Sequence, residues 1–158
     1  MVIRTLTPED VPAIHALEVE AYLPSLHESP EAFARLIELY PEGAFGGFDE
    51  VGLCGYAFGV PLRRGSTLEL RSPLGAIAED ADTFYIHDVT VAARCRGRGV
   101  ATVLSARLLD GARARGFRYS ELVSVQGSAP FWEKTGFREV ERFEYAPGAA
   151  SVKMSRDL

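Results

Sequence analysis

The chain has 158 residues, 47% of them hydrophobic, and a formal net charge of -5. That suits one domain with a real core and argues against general nucleic-acid binding, which needs a broad basic face. No apolar run approaches a bilayer span, the start Met1-Val-Ile-Arg-Thr-Leu-Thr has no signal-like region, and Cys54, Cys95 and three histidines form neither a disulfide framework nor a metal-ligand pattern; a cytoplasmic protein without membrane contact or bound metal is expected.

Val2 to Thr5 alternates enough for a first strand. Thr7-Pro8-Glu9-Asp10 then supplies a cap, a proline and acids for a helix running to about Tyr22. Its apolar positions Val11, Ile14, Leu17 and Ala21 leave His15 and Glu18 on the solvated face. Ser29-Pro30-Glu31 starts a second helix by the same logic, carrying Phe33, Leu36, Ile37 and Tyr40 to Pro41. Two strands follow, Ala44 to Phe48 and Val51 to Val60, joined at Asp49-Glu50. Gly52, Gly55 and Gly59 in the second of these imply a close approach by a bulky group or a strong twist. Pro61 to Asp82 is long for a plain connection and reads as a substrate-side lid, with an extended flap as the alternative.

The stretch from Thr83 to Gly116 organises the chain. Phe84 to Val91 is rich in β-branched and aromatic residues and predicts a strand. Val100, Val103, Leu104, Leu108 and Ala112 share a helical face, and Gly116 suits the left-handed cap. Between strand and helix lies Arg94-Cys-Arg-Gly-Arg-Gly99. Such a turn presents unpaired backbone N–H groups at a helix N-terminus, glycines let an anion approach them, and three arginines add positive charge, so phosphate is the expected guest. A dinucleotide loop would need a third glycine and a following acid, and a Walker loop would need Gly-Lys-Ser/Thr; neither is present. Phe117 to Val125 then predicts a strand. A short helix follows, capped at Ser128 and stopped at Gly136, and two last strands, Arg138 to Tyr145 and Ser151 to Arg156, flank the turn at Pro147-Gly148.

Arg96-Gly97-Arg98-Gly99-Val100-Ala101 after a strand resembles the pyrophosphate loop of the GNAT superfamily of acyl-CoA-dependent N-acetyltransferases. Phe131-Trp132-Glu133-Lys134-Thr135-Gly136-Phe137 is similar to a second motif of that family, in the right order. His87-Asp88-Val89-Thr90-Val91 and the Pro-Phe-Trp segment are similar to the arylalkylamine N-acetyltransferase-like branch. The resemblance spans roughly Val2 to Arg156 and implies one α/β (α+β) domain over residues 1–158, with a mixed central sheet of about six or seven strands flanked by about four helices. It further implies acetyl-CoA as cosubstrate, a small-molecule amine as acceptor, and a monomer or homodimer. CoA would be held by Val89, Thr90, Val91, Arg96, Gly97, Arg98, Gly99, Val100, Ala101, Thr102, Phe131, Trp132 and Lys134. Two other readings fit the same residues: a catalytically weak acyl-CoA-binding regulatory module, and a protein N-terminal or lysine acetyltransferase.

Strict alternation along the central strand places Tyr85, His87, Val89 and Val91 on one face, and Phe84, Ile86, Asp88 and Thr90 on the other. His87 is the candidate base, because imidazole titrates near neutrality and can take the amine proton. Asp88 then points away from it. Trp132 stands where the family commonly has an acidic tyrosine, and an indole N–H cannot serve as an acid near neutral pH. A thiol has a pKa of about 8.5, so water or Tyr85 is expected to complete the reaction while Trp132 packs. His27 and Glu28, in the segment that forms part of the acceptor wall in similar enzymes, are secondary candidates, and Cys95 is read as incidental.

Overall fold

The computed structural model describes residues 1–158. Strands β1 (Val2–Thr5), β2 (Ala44–Phe48), β3 (Leu53–Leu62), β4 (Thr83–Val91), β5 (Tyr119–Val125), β6 (Arg138–Ala146) and β7 (Ala149–Asp157) form a single sheet in the order β1-β2-β3-β4-β5-β7-β6. Every neighbouring pair is antiparallel except β4 and β5, which run parallel. The helices are α1 (Val11–Ala21), α2 (Pro30–Leu39), α3 (Val100–Ala114) and α4 (Ala129–Lys134). The single mixed α/β domain expected from the sequence is what the chain adopts.

Local chemistry explains the element ends. The Asp10 carboxylate accepts the Thr7 N–H at 2.8 Å and so caps a turn of 3-10 helix, Pro8–Asp10, that leads into α1. Ser29 Oγ accepts the Ala32 N–H at 3.1 Å and opens α2. At the end of α3 the amides of Gly116 and Phe117 turn back to Arg113 and Ala112, with Gly116 at φ 84°.

Two apolar clusters fill the two faces of the sheet. One packs Phe84, Ile86, Leu104, Leu108, Trp132 and Met154 on the side of α3, while the other packs Ile14, Leu17, Phe33, Tyr56, Phe58 and Tyr85 on the side of α1 and α2. The glycines of β3 mark close approaches. A Cβ at Gly59 would lie 2.3 Å from the Phe84 ring, and one at Gly55 would lie 2.7 Å from Thr90 O and 3.1 Å from Val100. Gly52 instead sits in the β2–β3 turn, where it exchanges backbone hydrogen bonds with Asp49. Val103 departs from the expected helical face and is exposed.

Two irregularities shape the middle of the sheet. Phe58 pairs with Asp88 and Gly59 with Ile86, so His87 has no residue opposite it and forms a β-bulge. In addition, the β4–β5 register runs only from Thr83↔Tyr119 to Ile86↔Leu122, although both strands continue beyond it. Past Ile86 the two parallel strands part, and β4 presents an unpaired edge.

Candidate active site

A cavity of about 290 Å³ occupies the parting of β4 and β5. Its wall includes Ile86 to Val91 from β4, Leu122, Val123 and Val125 from β5, and Ser128, Phe131 and Trp132 around α4. Arg96 and Ala101 stand at one end, and Tyr22, Leu26, Glu28, Leu70 and Tyr145 at the other.

The bulge corrects the expected strand alternation. Before it, Tyr85 packs among the α1 and α2 residues, and Phe84 and Ile86 belong to the α3 side. After it, Val89 and Val91 pack toward α3, while Asp88 reaches the tyrosines of the other face. One inserted residue shifts the period-two pattern by one. His87 and Asp88 therefore do not point to opposite faces as strict alternation required.

The two nevertheless make separate contacts. His87 Nε2 lies 2.9 Å from Glu28 Oε2, and both side chains are almost wholly withdrawn from solvent. The buried His87 Nδ1 has no protein partner. A carboxylate can only accept, so this pair assigns the proton of a neutral imidazole to Nε2 and leaves the Nδ1 lone pair free. Burial alone would push the Glu28 carboxyl up. The hydrogen bond and charge of His87 and the amides of Arg71 and Ser29 outweigh that and hold it below the usual carboxylate range. Glu28 was only a secondary candidate in the sequence; its neighbour His27 instead turns Nε2 back to Tyr22 O at 2.8 Å.

Asp88 is surrounded by hydroxyls. Its Oδ1 accepts from Tyr22 OH at 2.6 Å and Thr90 Oγ1 at 2.8 Å, and its Oδ2 accepts from Tyr56 OH at 2.7 Å. Burial pushes its carboxyl up, opposed by His87 and these three donors. Glu18, expected on a solvated helix face, is 1% exposed, because the chain folds back so that the Glu28 amide donates to its carboxylate. The Glu18 carboxyl is pushed up to about 7, chiefly by burial.

At the opposite end of the cavity, none of the amides from Gly97 to Thr102 donates to a protein acceptor. The first bond of α3 runs from Val103 N–H to Gly99 O at 3.0 Å. Gly97 and Gly99 both take φ 75°, and a Cβ at either would meet nothing within 4 Å. A row of free N–H groups facing open space at a helix N-terminus fits the pyrophosphate of acetyl-CoA. The arginines divide their duties. Arg94 and Arg98 both bind Asp49, at 2.8 and 3.2 Å, whereas Arg96 has no carboxylate partner and lines the cavity.

Of the other residues expected to hold CoA, Val89, Thr90, Val91, Ala101, Phe131 and Trp132 line the cavity. Val100 lies beneath the loop in the core, and Thr102 is exposed on the first turn of α3. Lys134 is exposed at the end of α4, outside the cavity wall. Tyr85 is 1% exposed and sits in the core cluster behind the wall, so it cannot stand beside a bound thioester. Trp132 lies edge-on to Phe131 and Phe137, at centroid distances of 4.9 and 5.6 Å.

Several wall residues gave no sequence signal. Gln126 sits at φ 51°, accepts Leu23 N–H at 2.9 Å and donates to Ala21 O at 3.1 Å, tying the end of β5 to the end of α1. Tyr145 reaches the cavity from β6 and donates its hydroxyl to Leu68 O. The residues from 63 to 82, read as a lid, run irregularly across this end: Arg71 bonds the backbone carbonyls of Ser25 and His27 as well as Glu28, and Lys153 Nζ donates to Ser66 O at 3.0 Å.

A parted parallel strand pair, a helix N-terminus with free amides and a buried histidine share one cavity, an arrangement that fits an acyl-CoA-dependent transferase. Residues 11–137 match the Acetyltransferase (GNAT) family, and the chain belongs to that family. It is an N-acetyltransferase that uses acetyl-CoA. The fold is similar to the loading GNATL domain of CurA from Lyngbya majuscula, with TM-score 0.83 and 17% identity over 99% of this chain and 96% of that one. It is also similar to Ard1 from Thermoplasma volcanium, with TM-score 0.78 and 18% identity over 99% and 97%. A third similar structure is the ribosomal-protein-alanine N-acetyltransferase from Brucella melitensis, with TM-score 0.73 and 21% identity over 100% of both chains. No curated protein matches the chain in sequence. No helix is long and apolar enough to cross a membrane.

Proposed function

We propose that the protein acetylates the primary amine of a small molecule, and that His87 accepts the amine proton. The observation that carries the acceptor size is the set of contacts that bridge the cavity's far end. Leu26 from the α1–α2 connection packs against Ala146 and Ala149 at the tip of the β6–β7 hairpin, and the 63–82 segment is bonded across both. An extended peptide needs an open groove there, whereas a compact amine does not. Glu28 and Asp88 place carboxyl groups on the same wall, which favours an acceptor that arrives as an ammonium ion.

His87 Nδ1 is the free nitrogen to which that ammonium or an intervening water gives its proton, and Glu28 stabilises the imidazolium that forms. The amides of Gly97 to Thr102 and the Arg96 guanidinium hold the pyrophosphate, and the unpaired edge of β4 from Val89 to Val91 orients the thioester arm. Acetyl-CoA supplies the acyl group, and the neutral amine displaces the thiol. Trp132 and Phe131 supply an apolar wall for that arm, with water as the final proton donor.

The test is an assay with acetyl-CoA against both a panel of small primary amines and a set of short peptides with free N-termini, reading thiol release and acetylated product. Turnover of at least one small amine, with all peptides far slower, is expected. Efficient N-terminal acetylation of peptides without small-amine turnover would exclude the small acceptor. Acetyl-CoA binding without product from either set would favour the regulatory reading.

A further inference from the structure

The two cysteines, of which Cys95 reads in the sequence as incidental, meet beneath the glycine loop that precedes α3. Cys54 on β3 and Cys95 at the end of the 3-10 turn Ala93–Cys95 are both 0% exposed free thiols, with Sγ atoms 2.8 Å apart. They are the only two cysteines in the chain. Ala92 N–H donates to Cys54 O at 2.7 Å, so the backbone already fixes the turn against β3 at this point. We propose that Cys54 and Cys95 are a modification site, a reversible disulfide made by hydrogen peroxide, which staples the start of the pyrophosphate loop to β3.

Asp49 lies close enough to complete a three-ligand cluster with the two sulfurs, yet a metal ion is the poorer occupant. Asp49 Oδ1 already accepts the amides of Val51 and Gly52, and Oδ2 accepts both Arg94 and Arg98. Two guanidinium groups over the pair oppose a cation, whereas they favour negative charge developing on sulfur. Arg98 Nη1 lies 3.6 Å from Cys95 Sγ and 4.0 Å from Cys54 Sγ, which makes Cys95 the better attacking sulfur. Burial pushes the Cys54 thiol up to about 11, as do the adjoining Cys95 and Asp49, consistent with Cys54 acting second. Both sulfurs are buried, and the Arg98 side chain that lies against them is about half exposed.

The balance is simple. The Cys95 thiolate attacks a peroxide oxygen, the O–O bond breaks, and a sulfenic acid forms with release of hydroxide, which takes up the thiol proton as water. Cys54 sulfur then attacks Cys95 Sγ, the S–O bond breaks, and a second water leaves with the remaining thiol proton. Two electrons pass from the sulfurs to the peroxide, and a dithiol reductant returns them. The residues so joined are 41 apart in sequence, so the link removes a long loop's freedom from the unfolded chain.

The native protein treated with modest hydrogen peroxide should lose about 2 Da, the two thiol hydrogens, and both titratable thiols, and dithiothreitol should restore them. Nonreducing digestion should yield one linked Cys54–Cys95 peptide. The oxidised form should melt roughly 5 to 10 °C higher than the reduced form. Cys54→Ser and Cys95→Ser should each abolish the mass loss and the rise in melting temperature. Thiols that survive conditions oxidising a free cysteine peptide, disulfide-linked dimers in place of the internal bond, or stoichiometric zinc held by the untreated protein would each overturn the proposal.

Discussion

The imidazole of His87 meets the carboxylate of Glu28 at 2.9 Å, Nε2 to Oε2, at the β-bulge of β4. His87 keeps the face of Tyr85, toward the α1–α2 connection, the bulge brings Asp88 round to that face as well, and Glu28 selects the tautomer with a free Nδ1. His87→Ala is expected to keep acetyl-CoA affinity within about twofold and to lower turnover roughly 10²- to 10⁴-fold. Glu28→Gln should keep the hydrogen bond through its amide oxygen but lose the charge, lowering turnover about tenfold or more. Calorimetry with acetyl-CoA and steady-state rates from pH 6 to 9 separate the two effects. Equal rates for His87→Ala and the parent across that range would remove the histidine from the mechanism.

The arginines near the loop are not equivalent. Arg96 is free at the cavity, while Arg98 is engaged with Asp49 and the sulfurs. Arg96→Ala should weaken acetyl-CoA binding about threefold to tenfold, and Arg98→Ala should do so by less, with a lower melting temperature as its main effect. Gly99→Val imposes a β-branched residue at φ 75° and should weaken binding by tenfold or more by distorting the row of amides. Undiminished affinity in a folded Gly99→Val protein would show that these amides do not hold the pyrophosphate.

Glu18 makes a measurable contribution to the pH dependence of stability. Its carboxyl has an ordinary value of 4.5 and is pushed up to about 7 in the folded protein. The folded state therefore keeps a proton that the unfolded chain releases over this interval, so the stability from this group is complete below pH 4.5 and is lost as the pH rises to 7. Glu18→Gln resembles the protonated form and escapes that loss. The variant should gain on the parent by about 2 to 3 kcal/mol between pH 4.5 and 8. Melting curves at the two ends of that range give the difference, and a constant gap would place the titration elsewhere.

Much of this site was legible because its local chemistry is local in sequence. Gly97, Gly99 and the apolar periodicity of α3 announce a strand, a turn and a helix whatever surrounds them, and the free amides follow from that order. What stayed hidden depends on partners far along the chain. The bulge at His87 arises from how β4 pairs with β3, and a period-two reading of β4 alone cannot contain it. Glu18 follows a helical spacing that faces water until the Glu28 amide closes over it. Arg94 and Arg98 read as positive charge free for a phosphate because Asp49, 45 and 49 positions away, carries no local sign of binding them. Val103 keeps the helical period of the core face, yet the space beside it is solvent.

Trp132 tests whether the family's usual acid is needed here. Its indole is 7% exposed, stands edge-on between Phe131 and Phe137 and forms part of the cavity wall. Trp132→Phe removes one ring from that cluster and should cost about 1 to 2 kcal/mol of stability through an imperfectly filled space. Turnover should change by less than about threefold, because no proton passes through the indole. Trp132→Tyr brings a hydroxyl with a pKa of about 10 to the same place. If protonation of the departing thiolate limits the rate at high pH, that variant gains there, and only there. Rates of both variants from pH 7 to 10, with melting temperatures as a control on folding, decide the matter. A hundredfold loss in a folded Trp132→Phe protein that still binds acetyl-CoA would mean that the indole holds the sulfur or the acceptor directly, and that packing is the lesser part of its work.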